Sequence, residues 1–141
     1  RATFFASGIY LSNPQATNGV RTGRGRASEA IMSIPDQYLV QAGVTHPFPK
    51  SRHFVVSVGG RLEGIPVRDI FGSSEGFRRP GYVLSFDPGV VYVQGRHSLS
   101  FNIPVPLERN RRRSTSDMID GRRGDAAFAD YLVIVSYTRS F

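Results

Sequence analysis

Three histidines and a set of aspartates are the side chains here best suited to metal or acid–base chemistry, and their spacing supports neither. His46 and His53 flank a short link, Pro47-Phe-Pro-Lys-Ser-Arg52, and His97 stands alone. No third ligand accompanies the pair, whereas a metal centre needs three or four. Asp117, Asp120, Asp125 and Asp130 lack the spacing of a calcium loop. There is no G-x-S-x-G, no phosphate-binding glycine loop and no H-E-x-x-H, and Arg123-Gly-Asp125 is too short to signify adhesion. Zero Cys removes disulfides and thiolate metal sites. The expectation is a protein without catalytic residues, cofactor or metal.

Arginine is the chemistry that remains. Of 18 basic residues only Lys50 is lysine, and the net charge is +7. The planar guanidinium binds phosphate and carboxylate through two parallel hydrogen bonds, so Arg-rich loops suit anionic partners. Nucleic acid and the phosphates of lipopolysaccharide both qualify. Gly23-Arg-Gly-Arg26 matches RG-type nucleic-acid repeats only weakly.

The elements that position these residues read as strands. In the last eleven residues, Tyr131, Val133, Val135, Tyr137, Arg139 and Phe141 alternate with Leu132, Ile134, Ser136, Thr138 and Ser140. Period two sends successive side chains to opposite faces, and one face is apolar with aromatic ends. The same pattern is expected over 36–46, 53–65, 82–93 and 96–108, and 2–12 is a first apolar segment whose alternation is weak, because adjacent Phe4 and Phe5 cannot share a face. On 82–93, Tyr82, Leu84, Phe86, Val90 and Tyr92 share a face, with tyrosine at both ends, as at two membrane interfaces. A two-residue loop at Gln94-Gly95 would set Val93 opposite Arg96. Tyr82 would then face Leu107, Phe86 Ile103, Val90 Leu99, Asp87 Asn102 and Gly89 Ser100. Pro88, Pro104 and Pro106 lack ladder N–H groups and predict a bulge, a strand end or weak pairing.

Connections are expected to alternate: 13–34, 66–80 and 109–128 long, 47–52 and 94–95 short. Bacterial outer-membrane barrels sort their loops in this way. The chain opens at Arg1 without a basic-then-apolar leader, as a mature exported protein or a segment of a longer one would. No run of eighteen apolar residues suggests a spanning helix.

The six-strand pattern and terminal Phe141 resemble the C-terminal part of a bacterial outer-membrane β-barrel. Pro35-Asp-Gln-Tyr38, Arg61-Leu-Glu-Gly-Ile-Pro-Val-Arg-Asp69, Gly76-Phe-Arg-Arg-Pro-Gly-Tyr82 and Gly124-Asp-Ala-Ala-Phe-Ala-Asp-Tyr131 resemble segments of poorly characterised transporter-type barrels. The resemblance implies an all-β antiparallel up-and-down meander of about six strands over residues 1–141, a transmembrane barrel or one segment of it. It also implies a terminal signal, Tyr131, Val133, Val135, Tyr137 and Phe141, read by the barrel-assembly machinery. Single-chain bacterial barrels start at eight strands, so the rest of a barrel or other chains are expected to close the sheet.

On this reading Arg61, Glu63, Asp87, Asn102, Glu108 and Asp130 line a polar lumen, with Arg61 placed to pair with Asp87. Arg109, Arg111, Arg112, Arg113, Arg122 and Arg123 meet lipopolysaccharide phosphates or select anionic solutes. The partners are outer-membrane lipids, not nucleic acid. The alternative is a soluble β-sandwich whose arginines bind nucleic acid or build a shell, with affinity falling steeply as salt rises.

Overall fold

A computed structural model describes residues 1–124 and 128–141; Asp125, Ala126 and Ala127, within the last long connection, lie outside the described residues. The chain is all-β. Six long segments form one antiparallel meander: β1 (Thr3–Leu11), β4 (Gln37–Pro47), β5 (Phe54–Ile65), β6 (Gly81–Gln94), a split strand β7 (His97–Asn102) and β8 (Val105–Arg111), and β9 (Ile134–Arg139). Between β1 and β4 lie two short strands, β2 (Thr17–Arg21) and β3 (Ile31–Ser33), joined through a 3-10 turn at Ala27–Glu29. This stretch, expected to be plain loop over 13–34, is therefore partly paired. A single helical turn, α1 (Thr115–Ile119), sits in the last connection, started by a reciprocal cap between Ser114 and Asp117.

The sheet curls into a half-barrel. Phe5 and Ser7 of β1 line the same hollow as Ile134 and Ser136 of β9, although these are the two end strands. All three long connections leave from one end of the sheet, and both short turns from the other.

The β6–β7 hairpin pairs Gln94 with His97 and Gly89 with Asn102, two residues away from the expected register. Turn chemistry explains the shift. The central residues are Gly95 and Arg96, and Gly95 sits at φ 58°, which the favoured II′ turn requires at its first central position. A shift of two preserves the faces, so side-chain alternation survives.

The prolines break the strand as their missing donors predict. Pro88 accepts from Ile103 N–H (3.2 Å) but has no N–H to return on that side. The ladder stops there and resumes at Val105 opposite Phe86. A register shift then falls between Leu84 and Ser85, so that Ser85 faces Pro106 but Leu84 faces Glu108. The extra residue inverts the parity of everything after it. The final strand is also shorter than expected: Tyr131 and Val133 precede its pairing, which starts at Ile134 opposite Asn102.

Burial across this sheet is the reverse of a soluble sandwich. On β6, Val83, Ser85 and Asp87 point to the concave side and are buried, whereas Leu84 and Phe86 on the convex side are exposed. Val40, Val58, Phe101, Val105 and Val135 extend the exposed apolar face over neighbouring strands. Val83 is the one buried hydrophobic side chain among the described residues.

The long connections knit into a polar cap. Asp69 forms a buried two-pronged ion pair with Arg78, whose guanidinium also donates to Ser33 Oγ (2.8 and 3.2 Å). Asp36 is fully buried and accepts from Tyr10 O–H (2.7 Å), Asn13 N–H (2.7 Å) and Ile70 N–H (3.2 Å). Its own N–H donates to Asp69 Oδ1 (2.9 Å). Burial pushes the Asp36 carboxyl up, but those donors and the Arg78 charge outweigh it and hold the group below its ordinary value.

Candidate functional site

The concave face is the site the sheet positions. Adjacent-strand partners set its rows: Ser7–Gln41–Arg61–Ser85, then Phe5–Gly43–Gly59–Asp87, then Thr45–Ser57–Gly89–Asn102–Ile134. Small residues leave room in the hollow. At Gly89 a Cβ would collide with the Asn102 amide and Ser57 Oγ, so glycine is what leaves room for those two side chains over β6.

Arg61 is half-buried here and donates to Glu63 through both Nε (3.0 Å) and Nη2 (2.7 Å). Its expected partner was Asp87, but the register sets Arg61 opposite Ser85 and Asp87 opposite Gly59. Glu63, two residues along the same face, is within closer reach. Asp87 is buried and accepts from Asn102 Nδ2 (3.2 Å). Thus four of the six expected lining residues, Arg61, Glu63, Asp87 and Asn102, come together on this face.

Two do not. Past the bulge Glu108 shares the convex face with Leu84 and Tyr82 and accepts from the Tyr82 hydroxyl (2.8 Å). Asp130 precedes the last strand, is exposed, and pairs with Arg109 (3.2 Å) at the loop end. The inverted parity instead turns Arg109 and Arg111, opposite Val83 and Gly81, toward the concave side.

Nearer the loop end the hollow becomes apolar. A cavity of about 500 Å³ is walled by Ile9, Leu39, Val83, Phe128 and Leu132, with the Arg61–Glu63 pair at its edge. Phe128 reaches the space a Cβ on Gly81 would occupy, which holds the segment before β9 over the concave face.

The loop arginines divide. Arg122 is bound to Glu29 (3.0 Å) inside the cap, and Arg113 donates to the Asp117 carbonyl (3.2 Å). Arg111, Arg112 and Arg123 are exposed. The cap residues Asp36, Asp69 and Arg78 escaped sequence reasoning. They meet only across connections, Asp36 accepting from Asn13 and Ile70 and Arg78 reaching Ser33, which no local spacing encodes.

Two aromatic rows bound the convex face. Tyr10, Tyr38 and Tyr82 lie in register near the loop end, and Phe54, Tyr92 and Tyr137 near the short turns. Phe54 and Tyr92 pack with ring centroids 5.0 Å apart. The histidines are engaged locally: His97 Nδ1 with the Tyr137 hydroxyl (2.6 Å), His53 Nδ1 with the Val93 carbonyl (2.9 Å) and His46 Nδ1 with the Pro47 carbonyl (2.7 Å). Among the described residues no group of three or more His, Cys, Asp or Glu is placed to hold a metal. Comparison with protein-family models, curated proteins and solved structures finds no match to this chain.

Proposed function

We propose that the chain is a six-stranded segment of a bacterial outer-membrane β-barrel whose concave face lines a polar passage for solutes. The observation that carries this is the inverted burial: apolar side chains exposed outward between two aromatic rows, charged and amide side chains turned inward. Spacing agrees with the bilayer. Tyr82 and Tyr92 are ten residues apart on β6, about 33 Å along a strand, or about 25 Å at a tilt near 40°, which is the height of an outer-membrane apolar band.

Arg61, Glu63, Asp87 and Asn102 would set the ion preference of the passage. Arg112 and Arg123 would meet lipopolysaccharide phosphates at the loop end. The β9 face of Val135 and Tyr137, with Phe141, would present the ending read by the assembly machinery. The test is physical state. The native chain is expected to need detergent, to float with membranes and to migrate differently on a gel before and after heating. A monodisperse preparation without detergent would sink the reading and restore the sandwich alternative.

A further inference from the structure

The charges are segregated along the sheet. Residues 37–62, 88–107 and 131–141 contain no Asp or Glu; they supply the two short turns, all of β4, β7 and β9, most of β5, the half of β6 next to its turn, and the chain end. The short-turn end of the sheet carries Arg1, Lys50, Arg52, Arg96 and Arg139, all exposed. All three histidines lie there too. At the loop end, by contrast, arginines are interleaved with carboxylates and several are consumed in ion pairs.

The placement of these cations is specific. Tyr137 belongs to the aromatic row, and Arg139 follows it on the same face, opposite His97 and 5.3 Å over the Phe141 ring. Arg96 occupies the turn just beyond Tyr92, and Arg52 and Lys50 lie in the link just before Phe54. Aromatic side chains settle at the level where acyl chains meet headgroups. Arg139 and Arg52 stand two residues beyond Tyr137 and Phe54, about 7 Å along a strand. Arg96 and Lys50 stand four residues beyond Tyr92 and Phe54 within the turns, so all four lie at the depth of lipid phosphates or just outside it.

We infer that the short-turn rim is a binding belt for the phosphates of anionic phospholipid in the leaflet on that side. This rests on the membrane reading above. The belt would anchor the barrel vertically in the bilayer. Lipid phosphate is the favoured occupant because the cations are strung along a curved rim behind an aromatic row, which suits a sheet of headgroups.

The test uses protein incorporated into vesicles of equal phosphatidylglycerol and phosphatidylcholine, extracted gently and weighed with its retained lipids. Wild type is expected to retain phosphatidylglycerol preferentially. R96Q/R139Q is expected to lose on the order of 25-fold in that preference, taking about fivefold per basic residue at an anionic surface. The charge-matched loop-end variant R21Q/R68Q is expected to keep it. Incorporation with no preference, an unchanged preference in R96Q/R139Q, or an equal loss in R21Q/R68Q would each overturn the belt alone. Wild type that enters neither lipid overturns the membrane reading with it.

Discussion

Phe86 offers the sharpest distinction between a convex face in lipid and one in water. It lies on β6 four residues from Tyr82 and six from Tyr92, so it sits near the middle of the apolar band. It is 42% exposed in the isolated sheet. In lipid, an arginine near the midplane of an outer-membrane barrel costs about 2–4 kcal/mol, falling to about 0–1 near the interfaces. In water the same guanidinium would be solvated and cost nothing beyond the lost phenyl contacts.

The comparison is therefore Phe86→Arg against Phe86→Ala, which removes the phenyl contacts in either solvent. Tyr82→Arg against Tyr82→Ala supplies the interface reference. Stability is read by urea titration of protein incorporated into vesicles, with the folded fraction scored by heat-modifiable gel mobility, since the chain has no Trp to report by fluorescence. The Arg–Ala difference is expected to be about 2–4 kcal/mol at Phe86 and below about 1 at Tyr82. Equal costs at the two sites, or no Arg–Ala difference at Phe86, would refute the lipid-facing assignment.

Three further outcomes are expected. Arg61→Gln leaves the Glu63 carboxylate unpaired in the hollow, so the reversal potential in a salt gradient should move toward cations; Asp87→Asn should move it toward anions, and identical potentials in all three proteins would exclude this face as the ion path. Arg78→Met strands the nearly inaccessible Asp69 carboxylate and should cost about 3–5 kcal/mol, seen as faster proteolysis within 13–34 and 66–80; unchanged cleavage would dismiss the cap as a unit. For Asp36 the folded-state value lies below the ordinary 3.8, so its contribution is complete above that pH and is lost as pH falls through the lower folded value. Exchange of the Asn13 and Ile70 amides should stay slow down to about pH 4 and accelerate below it, and Asp36→Asn should remove that acid limb.

The six-strand meander was legible because alternation depends only on side-chain direction, which a register shift of two leaves intact. The register departs from expectation because a loop at Gln94-Gly95 would put Gly95 second, whereas the II′ turn needs it first. Glu108 was misassigned for a related reason. Pro104 and Pro106 announced a disruption, but which residue would absorb it, and so which face Glu108 would take, depends on pairing to Leu84 and Ser85 across the sheet. The cap was illegible in kind. Arg122 binds Glu29 from 93 residues away, and no local period encodes a meeting between loops.

The topology also constrains what closes the sheet. β1 runs toward the long-loop end and β9 runs away from it, and each is an end strand. β1 has nine residues, so about four N–H groups face outward from its free edge, and in hydrocarbon each unpaired group costs several kcal/mol. Edge pairing in lipid is therefore obligatory. Because the end strands already run in opposite directions, an antiparallel closure requires an even number of added strands. Two would give eight, the smallest bacterial single-chain barrel, and a second copy of this sheet would give twelve. Either closure leaves the concave rows facing the centre and the two aromatic rows outside, so the lumen and belt assignments do not depend on which strands complete the wall.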